Sequence, residues 1–253
     1  MRRSCGYNNG FSLTECLLAI GTIAVGMLFI AGVFPVGIHF NTIASERTIA
    51  AIVADEAFAK IRLYAAGNPI DANDDIALGS LVTGQLTNYG PPIVGINPIE
   101  YSYPSDPNID IYRRQFYWSA LCRLTEPRID PNDPRRLVQV TFFVCRKIGS
   151  GTTYPGWAVN WPVPVPVGVT SVPVPDTLQI DQPAFVNDGY TIVDNQTGQI
   201  YRVLERDADM PDMIVLDRPW QGKILPSLVW VVPPPIGGGR GPCIAVYQRV
   251  IRF

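Results

Sequence analysis

The chain is poor in the residues that the commonest catalytic sites require. Its 253 residues include a single histidine, His39, which is too few for a hydrolase triad or a histidine-rich zinc site. Five cysteines cannot build a disulfide scaffold at this length, and no two of them form a CxxC pair. These shortages argue against an enzyme, and we predict no catalytic residue, no cofactor and no metal.

Charge is also scarce and nearly balanced. The formal net charge is −2, which offers no basic surface for nucleic acid. The acidic run at 71–75 has the first spacings of a calcium loop, but Ile76 replaces the required glycine and Val82 the required glutamate. We therefore expect a hydrated acidic turn there. The 24 prolines and 22 glycines instead predict many turns and irregular connections.

One long stretch lacks charge altogether. Residues 16–38 form an uncharged run of 23 residues. As a helix this run would span about 35 Å, whereas the hydrocarbon core of a bilayer is about 30 Å thick. It is too long for the apolar region of an ordinary secretory signal. Because Arg2 and Arg3 precede it and should stay cytoplasmic, we expect a single-pass anchor with the remaining chain outside the cytoplasm.

Glu15 is an acid close to the start of this apolar run. An acid at the bilayer centre costs about 2.5–3.5 kcal/mol, so such a residue tends to have a partner. One account is local, because Ser12 and Glu15 have the spacing of a capping box, in which the glutamate folds back on the first helical turn. The other account places the partner on another molecule. The residue pattern alone leaves both accounts open.

The segment around Glu15 resembles a known processing signal. Residues 10–15 read GFSLTE, after a short basic leader and before the long apolar run. This is similar to the prepilin signal of type IV pilins and type II secretion pseudopilins. The resemblance implies that a membrane peptidase cuts after Gly10 and N-methylates the new first residue, Phe11. It also implies that Glu15 guides assembly by pairing with that amine on a neighbouring subunit.

The resemblance covers residues 1 to about 66 and implies a set of partners. They are the prepilin peptidase and methylase, other pilin or pseudopilin subunits, an inner-membrane assembly platform and the lipid bilayer. The protein would sit in the cytoplasmic membrane with a periplasmic C-terminal domain, and then in a pilus or pseudopilus. Cleavage would leave 243 residues, which favours a minor subunit over a major one. The alternative is an uncleaved, signal-anchored binding or adhesion domain outside the cytoplasm. The pattern does not distinguish a pilus from type II secretion or DNA uptake.

The N-terminal helix is predicted to continue beyond the membrane segment. Residues 42–66 contain no glycine or proline, and apolar side chains recur there at three- to four-residue spacing. The members of this stripe are Ile49, Val53, Ala57, Ile61 and Tyr64. The Gly-Asn-Pro sequence at 67–69 ends the helix, and Pro35 predicts a kink within it.

Two strands that form a hairpin follow in the prediction, at 112–124 and 137–147. Their predicted buried faces are Phe116, Trp118, Ala120, Cys122 and Leu124 in the first strand and Val138, Val140, Phe142 and Val144 in the second. The same alternation points Cys122 and Cys145 to opposite faces of the sheet, which argues against a disulfide between them. Cys243 remains a candidate partner for either.

The predicted fold class is α+β, with a long N-terminal helix packed on an antiparallel sheet and a β-rich C-terminal extension. The predicted divisions are a leader at 1–10, the helix at 11–66 with its membrane segment at about 16–38, a pilin-like sheet domain at 67–153, a proline-rich linker at 154–175 and a β-rich lobe at 176–253. Proline alternates with valine in 154–175, which favours extended backbone, as a linker or as a wrap over the domain. The lobe could be separate or an elaboration of the same sheet. Within it, the Asn-Gln-Thr-Gly sequence at 195–198 predicts a hairpin turn with Gly198 at positive φ.

Overall fold

The described part of the chain contains one long α-helix, eleven strands and two short 3-10 helices, Pro98–Tyr101 and Pro183–Phe185. The computed structural model describes residues 12–67, 86–89, 98–106, 108–110, 113–125, 137–147, 151–156, 160–222 and 225–252. The helix, α1, comprises Leu13–Gly67. The strands are β1 (Thr87–Tyr89), β2 (Ser102–Tyr103), β3 (Phe116–Leu124), β4 (Leu137–Arg146), β5 (Val165–Val174), β6 (Thr177–Ile180), β7 (Thr191–Asp194), β8 (Ile200–Arg206), β9 (Met213–Leu216), β10 (Ser227–Val231) and β11 (Cys243–Arg252). This confirms the α+β class with a long N-terminal helix.

The chain divides into two units, Met1–Glu46 and Arg47–Phe253, and α1 contributes to both. The helix ends at Gly67, where the glycine of the Gly-Asn-Pro stop is its last residue. It continues through Pro35, and the kink predicted there stays a prediction. In the first unit the large apolar side chains of α1 are exposed, whereas in the second unit one side of the helix is buried.

In the second unit, α1 packs on one face of an antiparallel sheet with strand order β1-β3-β4-β11, and β2 also pairs with β3. The predicted buried faces of β3 and β4 are confirmed. The core between sheet and helix contains Trp118, Ala120, Cys122, Leu124, Val138, Val140, Phe142 and Val144, and Phe116 is partly buried against it. From α1 it contains Val53, Ala57 and Ile61 of the predicted stripe, with Ile49 at its margin, and also Ala50, Ala54 and Phe58. The side chain of Tyr64 lies outside the described part.

Phe58 lies at the centre of this helix–sheet contact. Its ring meets that of Phe142 edge-on, with 4.2 Å between the ring centroids. The guanidinium carbon of Arg249 on β11 lies 4.4 Å from the centroid of the Phe58 ring. Arg249 also pairs with Asp55 of α1 at 2.8 Å, but both side chains are more than half exposed, so this ion pair adds little stability. The buried rings therefore supply most of the attraction.

The opposite face of the sheet packs against a closed six-stranded barrel with strand order β10-β5-β6-β9-β8-β7. Closure leaves none of the six strands with a free edge. The barrel interior is filled by alternate residues of its strands, namely Val167, Val169, Leu178, Ile180, Ile192, Tyr201, Val203, Ile214, Leu216, Val229 and Val231. A further core joins Leu121, Phe143 and Cys145 of the sheet to Val193 and Val232. Strands β3 and β4 are consequently buried on both faces.

The expected proline-rich linker at 154–175 is a barrel strand over much of its length. Val165–Val174 forms β5, which is hydrogen-bonded to β10 on one side and to β6 on the other. The valines of the Pro-Val repeat occupy alternate positions, so Val167 and Val169 both point into the barrel and are fully buried. The prediction was wrong because the repeat that favours a polyproline conformation also matches the two-residue period of a strand.

Pro166 is tolerated in β5 because of where the pairing with β6 stops. The backbone N–H of Gly168 donates to the Asp181 side chain at 2.8 Å, and its carbonyl accepts from the Asp181 N–H at 3.0 Å. Backbone groups two residues apart face the same side of a strand, so the Pro166 nitrogen also faces the β6 side. The β6 ladder begins only at Val169, and Pro166 therefore interrupts no ladder hydrogen bond.

The predicted lobe at 176–253 is not one contiguous body. Its last strand, β11, leaves the barrel and pairs along β4 in the first sheet, from Cys243 opposite Cys145 to Arg252 opposite Leu137. The barrel strands β5 to β10 thus lie in the chain between two neighbouring strands of the sheet. The barrel is an insertion in the chain between β4 and β11, and it forms a closed sheet of its own rather than an extension of the first sheet.

The predicted hairpin turn at 195–198 joins β7 to β8 and contacts the sheet. Gly198 has a φ of +69°, as a turn of this kind requires. Its carbonyl accepts a hydrogen bond from the Gln248 side chain of β11 at 2.7 Å. The carbonyl of Gln196 accepts one from Arg123 of β3 at 2.6 Å. These bonds hold the barrel turn to two strands of the sheet.

Replacing Phe58 by alanine should destabilise the second unit by about 3–5 kcal/mol, because the substitution leaves a cavity between α1 and β4. Chemical denaturation of the purified full-length protein in detergent measures the loss. The matched control is Leu63→Ala on the same helix, where the leucine is 69% exposed and the expected change is within about 0.5 kcal/mol. An equal loss in the two variants would contradict the burial of Phe58 between α1 and the sheet.

Candidate membrane-anchoring and assembly segment

Helix α1 begins with a capping box. The backbone N–H of Ser12 donates to Oε2 of Glu15 at 2.9 Å, and the backbone N–H of Glu15 donates to Oγ of Ser12 at 3.4 Å. The hydroxyls of Ser12 and Thr14 are also hydrogen-bonded, at 2.5 Å. The carboxylate lies in the first turn, where it interacts favourably with the helix dipole. The capping box that the spacing of Ser12 and Glu15 predicted is therefore formed within the single chain.

Of the three residues predicted for processing and assembly, the structure describes one. Gly10 and Phe11 lie outside the described residues, and Glu15 lies within them, in the first turn of α1. The Glu15 side chain is exposed, so its carboxylate is accessible to a group on another molecule. The sequence prediction did not include Thr14, whose hydroxyl is hydrogen-bonded to that of Ser12. The position of this threonine two residues after Ser12 could have indicated the bond.

The first unit exposes a large number of apolar side chains. They are Leu13, Leu17, Leu18, Ile20, Ile23, Val25, Met27, Leu28, Phe29, Ile30, Val33, Phe34, Val36, Ile38 and Phe40, each more than half exposed. A soluble monomer rarely exposes a contiguous apolar patch larger than a few hundred Å². The mean hydropathy of this part of α1 reaches 2.5, and none of that stretch is buried. The helix is therefore long and apolar enough to cross a membrane.

Two threonine hydroxyls, one within this apolar stretch and one just beyond it, are hydrogen-bonded to the helix backbone. The hydroxyl of Thr22 donates to the carbonyl of Ala19 at 2.9 Å, and the hydroxyl of Thr42 donates to the carbonyl of Ile38 at 2.9 Å. Such bonds remove the need for water around the hydroxyls. The uncharged segment at 16–38 can accordingly lie in hydrocarbon or against apolar side chains of other helices.

The described residues contain no group of three or more histidine, cysteine, aspartate or glutamate side chains placed to hold a metal ion. The acidic run at 71–75 lies outside the described residues. Two buried thiols have raised pKa values: burial raises the pKa of Cys122 to about 12, and burial followed by the neighbouring Cys243 raises that of Cys145. At neutral pH both thiols are protonated, which makes them poor nucleophiles.

Comparison of the chain with family models, with characterised proteins and with solved structures finds no match.

Arginine substitutions in the exposed apolar stretch should weaken membrane insertion. Leu28→Arg together with Ile30→Arg places two charges near the centre of the stretch, at an expected cost of about 2.5–3.5 kcal/mol each. The matched control is Ile52→Arg with Leu63→Arg, two exposed apolar positions farther along α1. Alkaline carbonate extraction of membranes should release a larger fraction of the first variant than of the second. Equal retention of both would exclude residues 28 and 30 from the membrane core.

Proposed function

We propose that this protein is a structural subunit of a type IV pilus or type II secretion-like filament, cleaved after Gly10 and N-methylated at Phe11. The observation that carries the proposal is the combination of the GFSLTE signal with the helix that follows it. The signal leads directly into an exposed apolar stretch, and the same unbroken helix continues into a core with an antiparallel sheet. Such a helix can anchor the subunit in a bilayer and later pack with helices of other copies.

Glu15 supplies the proposed register between subunits. Cleavage after Gly10 would create a free, positively charged amine on Phe11, and a carboxylate in an apolar surrounding is stable only with a cationic or hydrogen-bonding partner. In the single chain, the cap gives the carboxylate one hydrogen bond from Ser12. In the filament, the Phe11 amine of a neighbouring subunit would add a charged partner. The uncleaved leader prevents this pairing because the Phe11 nitrogen is then part of a peptide bond.

The barrel adds to the size of the chain, and a large chain favours a minor rather than a major subunit. It occupies the chain between β4 and β11 and packs on the sheet face opposite α1. The resemblance to the prepilin signal supplies the proposed partners. They are the prepilin peptidase and methylase, the inner-membrane assembly platform, the bilayer and other subunits that contact α1. The domain built by the sheet and the barrel would lie outside the cytoplasm.

A second candidate is an uncleaved, anchored binding or adhesion domain. The capping box favours it specifically, because it gives Glu15 a structural role that requires no other subunit. In that case the apolar stretch is only an anchor, and the chain keeps residues 1–10.

The N-terminus of the protein purified from its host membranes distinguishes these candidates. Intact mass and terminal peptide sequencing should find N-methylated Phe11 as the first residue. Gly10→Leu should abolish processing, because a bulky side chain blocks the cleavage position. The matched control is Gly6→Leu, at another glycine of the leader, which should be processed normally. An intact N-terminus in the unsubstituted protein would contradict the filament proposal and favour the anchored domain.

Glu15→Gln separates the charge of Glu15 from its capping bond. Glutamine also serves in a capping box, so the helix start should be kept, whereas the pairing with a cationic amine is lost. We expect Glu15→Gln and Glu15→Ala to reduce incorporation into sheared filaments to the same extent, more than 10-fold, with cleavage after Gly10 unchanged. If Glu15→Gln assembles as the unsubstituted protein does and only Glu15→Ala fails, Glu15 acts as a cap and not as a charge.

A further inference from the structure

Two cysteines face each other where the barrel joins the sheet. Cys145, the penultimate residue of β4, is the direct partner of Cys243, the first residue of β11. The backbone N–H of Arg146 donates to the carbonyl of Pro242 at 2.8 Å. A bond between these flanking residues marks Cys145 and Cys243 as a non-hydrogen-bonded pair of the antiparallel ladder. The Cα atoms of such a pair lie about 4.5 Å apart, within the range of about 4.4–6.8 Å found in disulfides.

The two thiols also share one face of the sheet. Cys145 belongs to the core between sheet and barrel, and Cys243 packs against that same core. The two thiols are near neighbours, since Cys243 is among the groups that raise the pKa of Cys145, and both thiols are free. The register shifts immediately after Cys243, where a bulge precedes Ala245 and gives the first residue of β11 room to adjust. Cys122 lies on the other face, in the core with α1.

We propose that Cys145 and Cys243 are a disulfide pair that closes when the folded chain meets a thiol–disulfide oxidoreductase, with Cys122 left as a free thiol. The inference rests on the proposed function only in placing the domain in a compartment where such an oxidant acts. The pairing itself rests on the strand register and on the shared face of the sheet.

The order of the two exchange steps follows from burial. Cys243 is partly exposed and lines a cavity of about 240 Å³ together with Tyr190, Arg240 and Gly241, whereas Cys145 is fully buried. The Cys243 thiolate attacks the disulfide of the oxidant, which releases one oxidant thiol and forms a mixed disulfide. The Cys145 sulfur, after losing its proton, then attacks Cys243 and releases the second oxidant thiol. Two electrons and two protons pass from the cysteines to the oxidant, which ends as a dithiol.

The closed bond would join the two ends of the barrel insertion. Strands β5 to β10 all lie in the chain between Cys145 and Cys243. A disulfide restricts the unfolded chain more strongly when it closes a longer loop, and this loop contains the whole barrel. Closure should therefore raise the thermal stability of the sheet and barrel together.

Peptide mapping tests the pairing on the full-length protein in detergent. The protein is reduced, freed of reductant, exposed to a glutathione redox buffer and quenched in acid. It is then unfolded in denaturant at neutral pH with N-ethylmaleimide, so that buried thiols also react, and digested with trypsin without reduction. We expect peptide 137–146 linked to peptide 241–249, and peptide 115–123 alkylated at Cys122. Alkylation of both Cys145 and Cys243 at every glutathione ratio, or a bond from Cys122, would overturn the proposal.

Thermal denaturation provides an independent test. Dithiothreitol should lower the melting temperature of the oxidised protein by roughly 5–15 °C. Cys145→Ala and Cys243→Ala should each remove this dependence on reductant, and the double variant should lose no more of it than either single variant. Cys122→Ala is the matched control and should keep the dependence. A melting temperature that does not respond to reductant in the oxidised, unsubstituted protein would overturn the proposal.

The same peptide map of protein taken directly from host membranes separates this inference from the proposed function. A linked pair before any treatment supports both the pairing and an oxidising compartment. A pair that is reduced in the host and closes in glutathione buffer supports the pairing and contradicts the extracytoplasmic location. An N-terminus that is not processed, with the pair linked, contradicts the filament proposal alone.

Discussion

The burial of β3 and β4 on both faces is the constraint on which the rest of the structure depends. Their even-numbered residues, from Trp118 to Val144, pack against α1, and odd-numbered residues such as Leu121 and Phe143 pack against the barrel side. Neither face could remain in water without a large apolar surface being exposed. The two strands therefore require a helix on one side and a further β-structure on the other. The closed barrel meets the second requirement without adding a free edge of its own.

Helix α1 has two parts that differ in side-chain exposure along one continuous backbone. Between residues 47 and 63, small residues such as Ala50 and Ala57 allow close approach to the sheet, and Phe58 fills the space between them. Between residues 13 and 40 the apolar side chains are exposed on every side, which suits a bilayer or a bundle of similar helices rather than water. The proposed function uses this division: the second half of the helix carries the folded domain, and the first half makes the contacts with lipid and with other subunits.

The carboxylate at the start of α1 and the two thiols where the barrel joins the sheet each have a specific partner. Glu15 is held by Ser12 in the cap, so any pairing with another subunit adds to an existing hydrogen bond or replaces it. Where the barrel joins the sheet, the pairing of β4 with β11 brings together Cys145 and Cys243, which are 98 positions apart in the sequence. In the proposals above, an ion pair of Glu15 formed on assembly would hold the subunit at the membrane. A disulfide between Cys145 and Cys243 formed after folding would hold the barrel to the sheet.

Local patterns in the sequence were sufficient for the features that depend on local periodicity. The end of α1 at Gly67, the buried faces of β3 and β4, the opposite orientations of Cys122 and Cys145, and the turn at Gly198 all follow from side-chain alternation or backbone preference within a few residues. The capping box at Ser12 and Glu15 belongs to the same class. Alternation decides which face of a strand is buried, but it does not decide which strand lies beside it. Only the tertiary structure therefore assigned β5 to a barrel, returned β11 to β4 and placed Cys243 opposite Cys145, because those pairings join segments that are distant along the chain.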